Sequence, residues 1–409
     1  LAITLLFAAI APCSFALESD DDPAWVLFEK GKRAFLEKRF GEALDDFRQS
    51  VRTRRERFED ARARLDRSIG KGADAIKEDR ITVVIDSFAK KEILSWKYEE
   101  IKRQAGGSMK ARIVALRGHT LSERFSLFLD ALEVALEYGS WERLRDSVKV
   151  LREELVRLAD FPEAEYWIGR VFMLEGEYAL ALTQFDRAYS MRASFEIPED
   201  VYLVMYARVE CLKRINMSDY EGALEAICAT DPVYGSAENE LLRDSMLRVL
   251  VDKGFDSFVT LYRHDASYAL AAYDEYGTYL YERSRPRAVL TLALAANIIA
   301  TRMIDRVRAI DPTYSFTWDK TIARSMPEGS DGLRGLFARI DRMPELGSYA
   351  EEAGFYRILF TLGNALFANG ARTSAREIWA ALSSFPRADV YATKAARQLS
   401  NPVIVSPVK

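Results

Sequence analysis

Apolar and small residues fall at helical spacing along two successive stretches between positions 162 and 195. Gly169 and Phe172 mark the first stretch, Tyr178, Ala181, Phe185 and Ala188 the second, and Gly176 stands where the first must end. This pattern predicts a helical hairpin. Gly169 and Ala181 are small where the two backbones cross most closely, and the aromatic residues fill the wedge around that crossing. Gly176 suits a left-handed cap, and a large side chain at Gly169 or Ala181 is expected to overpack the crossing by about 1–3 kcal/mol. The same pattern returns at 24–57 through Gly31, Phe40, Ala43, Phe47 and Ser50. It returns again at 356–389 through Gly363, Leu366, Gly370, Ala375, Trp379 and Leu382, with Pro386 as a helix stop. Weaker copies are expected at 204–237, around Cys211, Tyr220 and Ala223, and at 269–302, around Tyr279, Ala288 and Ala295.

This spacing resembles the tetratricopeptide repeat, a unit of roughly 34 residues that cannot bury its apolar face alone and stacks on its neighbours. The resemblance implies an all-α fold, a right-handed α-solenoid of stacked antiparallel helix pairs, and binding rather than chemistry as the work of the chain. In families of this kind the groove is lined by the exposed side of each first helix. Here that side is expected to present Phe28, Lys32 and Phe35, then Tyr166, Arg170 and Met173, then Phe360, Asn364 and Phe367. Each triplet sets two apolar residues around one polar one, which matches an amphipathic helix or an extended segment with hydrophobic anchors. The lysine and asparagine clamp of the chaperone-binding branch is absent from these units. The competing expectation is that these aromatics pack against the next repeat and leave no open groove.

Composition agrees with a folded chain. Of 409 residues, 49% are hydrophobic and 29% charged, enough apolar surface for a large core and too much for disorder. A net charge of −4 gives no basic domain of the sort a nucleic-acid surface needs. Residues 1–16 stand apart: Leu1 to Pro12 is a short apolar run, Ser14-Phe15-Ala16 supplies small residues at the positions a signal peptidase reads, and an acidic run follows at Glu18 to Asp22. The segment is read as a cleavable signal peptide that sends the protein to the periplasm. A lipid-modified Cys13 is the alternative, opposed by Pro12 directly before it. After cleavage only Cys211 and Cys228 remain, a possible disulfide in an oxidising compartment, with two buried thiols as the favoured reading.

Along the rest of the chain, residues 17–57 hold the first repeat and 58–120 a charged long-helix insertion. A central array spans 121–324, a C-terminal repeat region 325–400, and a flexible tail 401–409. Residues 52–67 are dense in arginine and carboxylate. They carry Val51, Phe58 and Leu65 at heptad spacing, so a short coiled coil competes with a solvated helix. Ile81 to Ile85 is β-branched enough to leave a short strand open. Ala288 to Ala300 is almost unbroken apolar sequence, interrupted by Asn297 and followed by Arg302, Asp305 and Arg306; it predicts a buried central helix rather than a membrane span. Pro327, Pro344 and several glycines make 325–349 the expected flexible join. Asp231-Pro232 and Asp311-Pro312, each with a tyrosine two residues on, resemble repeat ends.

Candidate chemistry is sparse. His119 and His264 are the only histidines and neither has ligand-spaced neighbours, so no metal and no cofactor is expected. His264-Asp265 is expected to sit in a polar turn between helices rather than to orient a catalytic base. Gly70-Lys71 lacks the rest of a phosphate loop. The first expectation for function is therefore a non-enzymatic exported scaffold that holds one or more proteins of the cell envelope, with no nucleic acid and no integral span after signal removal. The alternatives are a helical-repeat enzyme or small-molecule receptor of the periplasm, and self-assembly of the chain as an envelope or flagellar-collar component.

Overall fold

Helices account for the regular structure of this chain wherever the computed structural model describes it, namely residues 23–69, 82, 85, 86, 89, 93, 95–121, 123–138, 157, 159–215, 218–317 and 331–404. The leader with Cys13, the acidic run after it and the Gly70-Lys71 segment lie outside the described residues. The fold is all-α; among the described residues, β pairing is confined to one bridge between Thr317 and Asp331. The chain forms two compact units, Leu1–Asn216 and Met217–Lys409.

The first unit contains α1 (Pro23–Leu36), α2 (Phe40–Ile69), α3 (Ser95–Ala105), α4 (Met109–Arg117), α5 (Glu123–Tyr138), α6 (Pro162–Leu174), α7 (Tyr178–Ser190) and α8 (Val201–Ile215). The second contains α9 (Tyr220–Cys228), α10 (Glu240–Leu261), α11 (Leu270–Glu282), α12 (Ala288–Ile310), α13 (Gly332–Arg342), α14 (Pro344–Glu352), α15 (Phe355–Ala368), α16 (Arg372–Ser383) and α17 (Val390–Ser400).

Four hairpins share one construction. In α1/α2, α6/α7 and α15/α16 a glycine on the first helix faces an aromatic ring sixteen residues on: Gly31 with Phe47, Gly169 with Phe185, Gly363 with Trp379. A methyl group at these glycines would lie 2.7, 2.6 and 2.5 Å from the ring, so glycine is what lets the backbones approach. In α11/α12 the facing residue to Gly277 is Leu292, fifteen residues on, with its Cγ 2.8 Å from where the methyl would sit. The crossing therefore starts one residue later than a repeat beginning at 269 would put it. Seven residues after each glycine the chain turns left-handed, at Lys38 (φ 62°), Gly176 (φ 83°), Ser284 (φ 54°) and Gly370 (φ 87°). The next amide in each case bonds back across the turn: Arg39 N–H to Ala34 O, Glu177 to Phe172, Arg285 to Leu280 and Ala371 to Leu366, at 2.8–2.9 Å. This six-to-one bond satisfies a carbonyl that the ending helix leaves open.

Helix neighbours repeat as well. In the first unit α2 packs on α6 and α7 on α8, while the first helices α1, α6 and α8 touch in a row. In the second, α12 packs on α15 and α16 on α17, while α11, α15 and α17 form the corresponding row. The stretch 204–237 behaves differently from its expected copy: α8 belongs to one compact unit and α9 to the other, and α9 packs against α11.

Several expectations need correction. The charged stretch is no separate insertion beginning at 58, because α2 runs unbroken from Phe40 to Ile69. Its Phe58 is buried in a cluster with Ile85, Tyr98, Ile113, Phe125 and Leu129; the Leu65 side chain lies outside the described residues. Thr82, Ile85, Asp86 and Ala89 are helical, so no strand forms at these positions. Residues 332–352 are not a flexible join but two helices, with Pro344 as the first residue of α14, where its missing N–H costs nothing. The tail is tied down as far as Val403: the Gln398 side-chain amide donates to Val403 O at 3.1 Å and accepts from Val403 N–H at 2.9 Å.

The apolar helix α12 is a core helix, with 83% of its most apolar window buried, although by length and composition alone it could cross a membrane. Asn297 is tolerated there because its Nδ2 donates to the Tyr262 carbonyl at 2.6 Å and its Oδ1 accepts from the Thr301 hydroxyl at 3.0 Å. In α10 the helix breaks at Gly254 (φ 82°, ψ 176°), and the Val251 carbonyl accepts a hydrogen bond from the Ser374 hydroxyl at 2.7 Å.

Candidate functional site

The row of first helices in the first unit carries two of the expected triplets. Phe28 is buried on α1 against Trp25 and Phe161, with ring centroids 5.1 and 5.2 Å apart. Phe35 is half-buried, edge-on to Trp167 at 4.9 Å. Lys32 pairs with Glu29 at 2.8 Å and lies over the Phe28 ring. Tyr166 is buried between α7 and α8, and Met173 packs half-buried in the same cluster. The apolar members of these triplets thus fill the seams between successive first helices, with only part of Phe35, Trp167 and Met173 reaching the surface.

Arg170 is the polar centre of this face. Its guanidinium carbon lies 5.8–6.0 Å from the centroids of Phe35, Tyr166 and Trp167, and one terminal nitrogen donates to the Tyr166 hydroxyl at 2.9 Å. Three rings, one of which also accepts through its hydroxyl, surround the planar cation. Its Nε is buried without a hydrogen-bond partner, and no carboxylate among the described residues pairs with it. Burial raises the Tyr166 hydroxyl above its ordinary range, and Arg170 opposes this. At the start of α8, the half-buried Asp200 carboxyl is raised by burial and by Glu199, and is held down by Lys32.

Below this face, the start of α6 gathers carboxyls that sequence reading did not single out. Pro162 opens the helix, and Glu163 and Glu165 stand in its first turn, where the helix dipole favours negative charge. Glu163 Oε1 accepts from the Glu196 amide at 2.7 Å while Oε2 is buried without a partner. Asp160 accepts from the Ser194 hydroxyl at 3.2 Å, and Glu165 faces Arg187 at 3.5 Å. Burial raises the pKa of all three.

In the second unit, α15 carries the third triplet. Phe360 is half-buried against Tyr391 of α17, Phe367 half-buried against Trp379 of α16, and Asn364 is buried with an unpartnered Oδ1. A shallow cavity of about 280 Å³ lies among Arg334, Phe337, Asp341, Phe385 and Arg387. It falls just below the roughly 300–1,000 Å³ typical of small-molecule sites.

The strongest polar network here joins residues far apart in sequence. Asp231, almost fully buried, accepts from His264 Nε2 at 2.5 Å, the Tyr273 hydroxyl at 2.6 Å and the Val233 amide at 2.9 Å. Burial pushes the carboxyl up, but the hydrogen bonds from His264 and Tyr273 outweigh it and leave Asp231 below its usual range. His264 therefore sits in a turn between helices, as expected, but works with Asp231 rather than with Asp265, which pairs with Arg302 at 3.3 Å. The Asp-Pro turn recurs at Asp311, whose side chain accepts from the Thr313 amide at 3.1 Å and pairs with Arg339 at 3.1 Å. Cys211 and Cys228 are free, buried thiols; burial pushes Cys211 up to about 12 and raises Cys228 as well. Among the described residues, no group of three or more His, Cys, Asp or Glu side chains is placed to hold a metal ion.

No protein-family model matches the chain, and no solved structure matches it. It is 30% identical over 261 residues to an uncharacterized protein of Treponema pallidum (strain Nichols). The alignment covers 63% of this chain and 66% of the relative, so the chain spans somewhat less than two thirds of the length of the curated relative it matches.

Proposed function

We propose that the chain is a tetratricopeptide-type repeat protein, built of right-handed α-solenoid stacks, that serves as a non-enzymatic scaffold and holds partner proteins on the row of first helices in each unit. The observation that carries this reading is the hairpin construction repeated four times, with crossing residue, left-handed turn and back-bond in the same places. Hairpins of this size cannot bury their apolar faces alone, and stacking within each unit leaves a row of first helices available to a partner. Half-exposed side chains on these rows, Phe35, Trp167 and Met173 in the first unit and Phe360 in the second, are of the apolar and aromatic kinds that anchor protein interfaces. The leader sequence supports export to the periplasm, which makes proteins of the cell envelope the class of partner.

The test is site-specific photo-cross-linking in cells, with the reactive group at Met173 or Phe360 on first helices and at Asp186 on the exposed side of α7. Discrete protein adducts at the first two positions and none at the third are expected. The reverse pattern, or adducts at no position, refutes a docking role for the first-helix row.

A further inference from the structure

Lys32 on α1 and Arg170 on α6 differ in how each is neutralised. Lys32 has Glu29 at 2.8 Å and Asp200 in its field. Arg170 has three aromatic rings, a tyrosine hydroxyl and no carboxylate among the described residues, with its Nε buried and unbonded. The rings fix the plane of the guanidinium and Tyr166 takes one Nη1 hydrogen, which leaves the remaining Nη hydrogens for an acceptor, and a charged one makes the strongest such bond. A built ion pair inside the chain would have served stability alone.

We propose that Arg170 is the anchor for an acidic side chain of a partner polypeptide: an extended or helical segment carrying an Asp or Glu between apolar residues. This rests on the docking reading of the first-helix row and adds the chemistry that row selects. Charge complementarity supplies the carboxylate. The apolar flanks follow from the half-exposed Phe35 and Trp167 beside Arg170 and Met173 one turn along α6, which continue the face past the cation. Because apolar surface continues past the cation rather than ending at it, the ligand is a chain that passes over Arg170, not one that terminates there. The planar fork can meet both carboxylate oxygens, which lysine cannot do.

The experiment uses the purified chain from residue 17 onward and a phage-displayed library of random dodecamer peptides, panned on wild type and on Arg170→Met. Enriched wild-type binders are expected to share one acidic residue flanked by apolar ones. Their affinity should fall by about thirty-fold on Arg170→Met, the scale of a hot-spot contact, with Arg170→Lys between the two. Replacing the peptide's Asp by Asn should cost wild type a similar factor and cost Arg170→Met nothing further. That peptide-side arm needs no altered protein, so it decides the matter even if a variant folds poorly. Binders without acidic preference, or equal affinity for wild type and Arg170→Met, overturn the assignment to Arg170 while leaving the docking face in place. If no peptide is retained by wild type, the docking reading falls with it.

Discussion

Alanine at Gly169 tests the hairpin construction directly. Its added methyl would sit 2.6 Å from Cε1, 2.8 Å from Cδ1 and 3.0 Å from Cζ of Phe185, against an optimum of about 3.5–4.0 Å between carbon atoms. The ring cannot swing clear, since Phe185 is fully buried and the Tyr166 ring lies 5.7 Å away. Overpacking of this kind costs about 1–3 kcal/mol, and the better helix propensity of alanine returns about 0.5–1 kcal/mol. A net loss of about 0.5–2 kcal/mol is expected. Gly222→Ala provides the contrast: nothing lies within 4 Å of its added methyl, so it should stabilise by about 0.5–1 kcal/mol. The cycle with Phe185→Leu isolates the crossing, because a smaller residue opposite makes room for the methyl, and a favourable coupling of about 1 kcal/mol is expected. With two compact units a single unfolding transition is not guaranteed, so urea titration should be paired with hydrogen exchange read on peptides from α6 and α7. Equal protection in Gly169→Ala and wild type, or no coupling to Phe185→Leu, would refute the close crossing.

Two further outcomes follow from the buried carboxyls. Asp231→Ala removes the acceptor for His264, Tyr273 and Val233 and strands a buried tyrosine hydroxyl, at a cost of about 2–4 kcal/mol. Since the Asp231 pKa is lowered on folding, its contribution is present above the unfolded carboxyl range and is lost as pH falls through the depressed value; the variant should flatten the acid limb of a stability-against-pH curve, and an unchanged limb would exclude the network. Glu163 has the opposite sign. Its pKa is raised, so it favours the fold below the unfolded value and this is lost as pH rises through the folded one. Glu163→Gln should therefore raise the melting temperature at neutral pH relative to wild type while changing little in mild acid, and a loss at neutral pH would show that the carboxylate is stabilised there after all.

How much was legible in the sequence depended on whether partners were close along the chain. Gly31, Gly169 and Gly363 announced their hairpins because turn, crossing and wedge all fall within about one repeat length. Gly277 escaped because it faces a leucine rather than an aromatic, and the shorter spacing shifted the register by one. The stretch 204–237 carried helical pattern but not the division between compact units, which depends on tertiary contacts. His264 and Tyr273 are separated by 33 and 42 residues from their hydrogen-bond acceptor Asp231, and neither periodicity nor motif links them. The triplets fall on α1, α6 and α15, but Phe28, Tyr166 and Asn364 are buried rather than on the exposed side, because the pattern does not distinguish a side chain filling a seam from one facing outward. Arg170 stood out only once its three surrounding rings were seen together.

The burial of α12 limits how the second unit can be dissected. A fragment holding only the α11/α12 hairpin would expose to water the apolar surface that α10 and α15 otherwise cover, and would clump rather than fold. Shortened versions of that unit used for binding work should therefore keep these four mutually packed helices together.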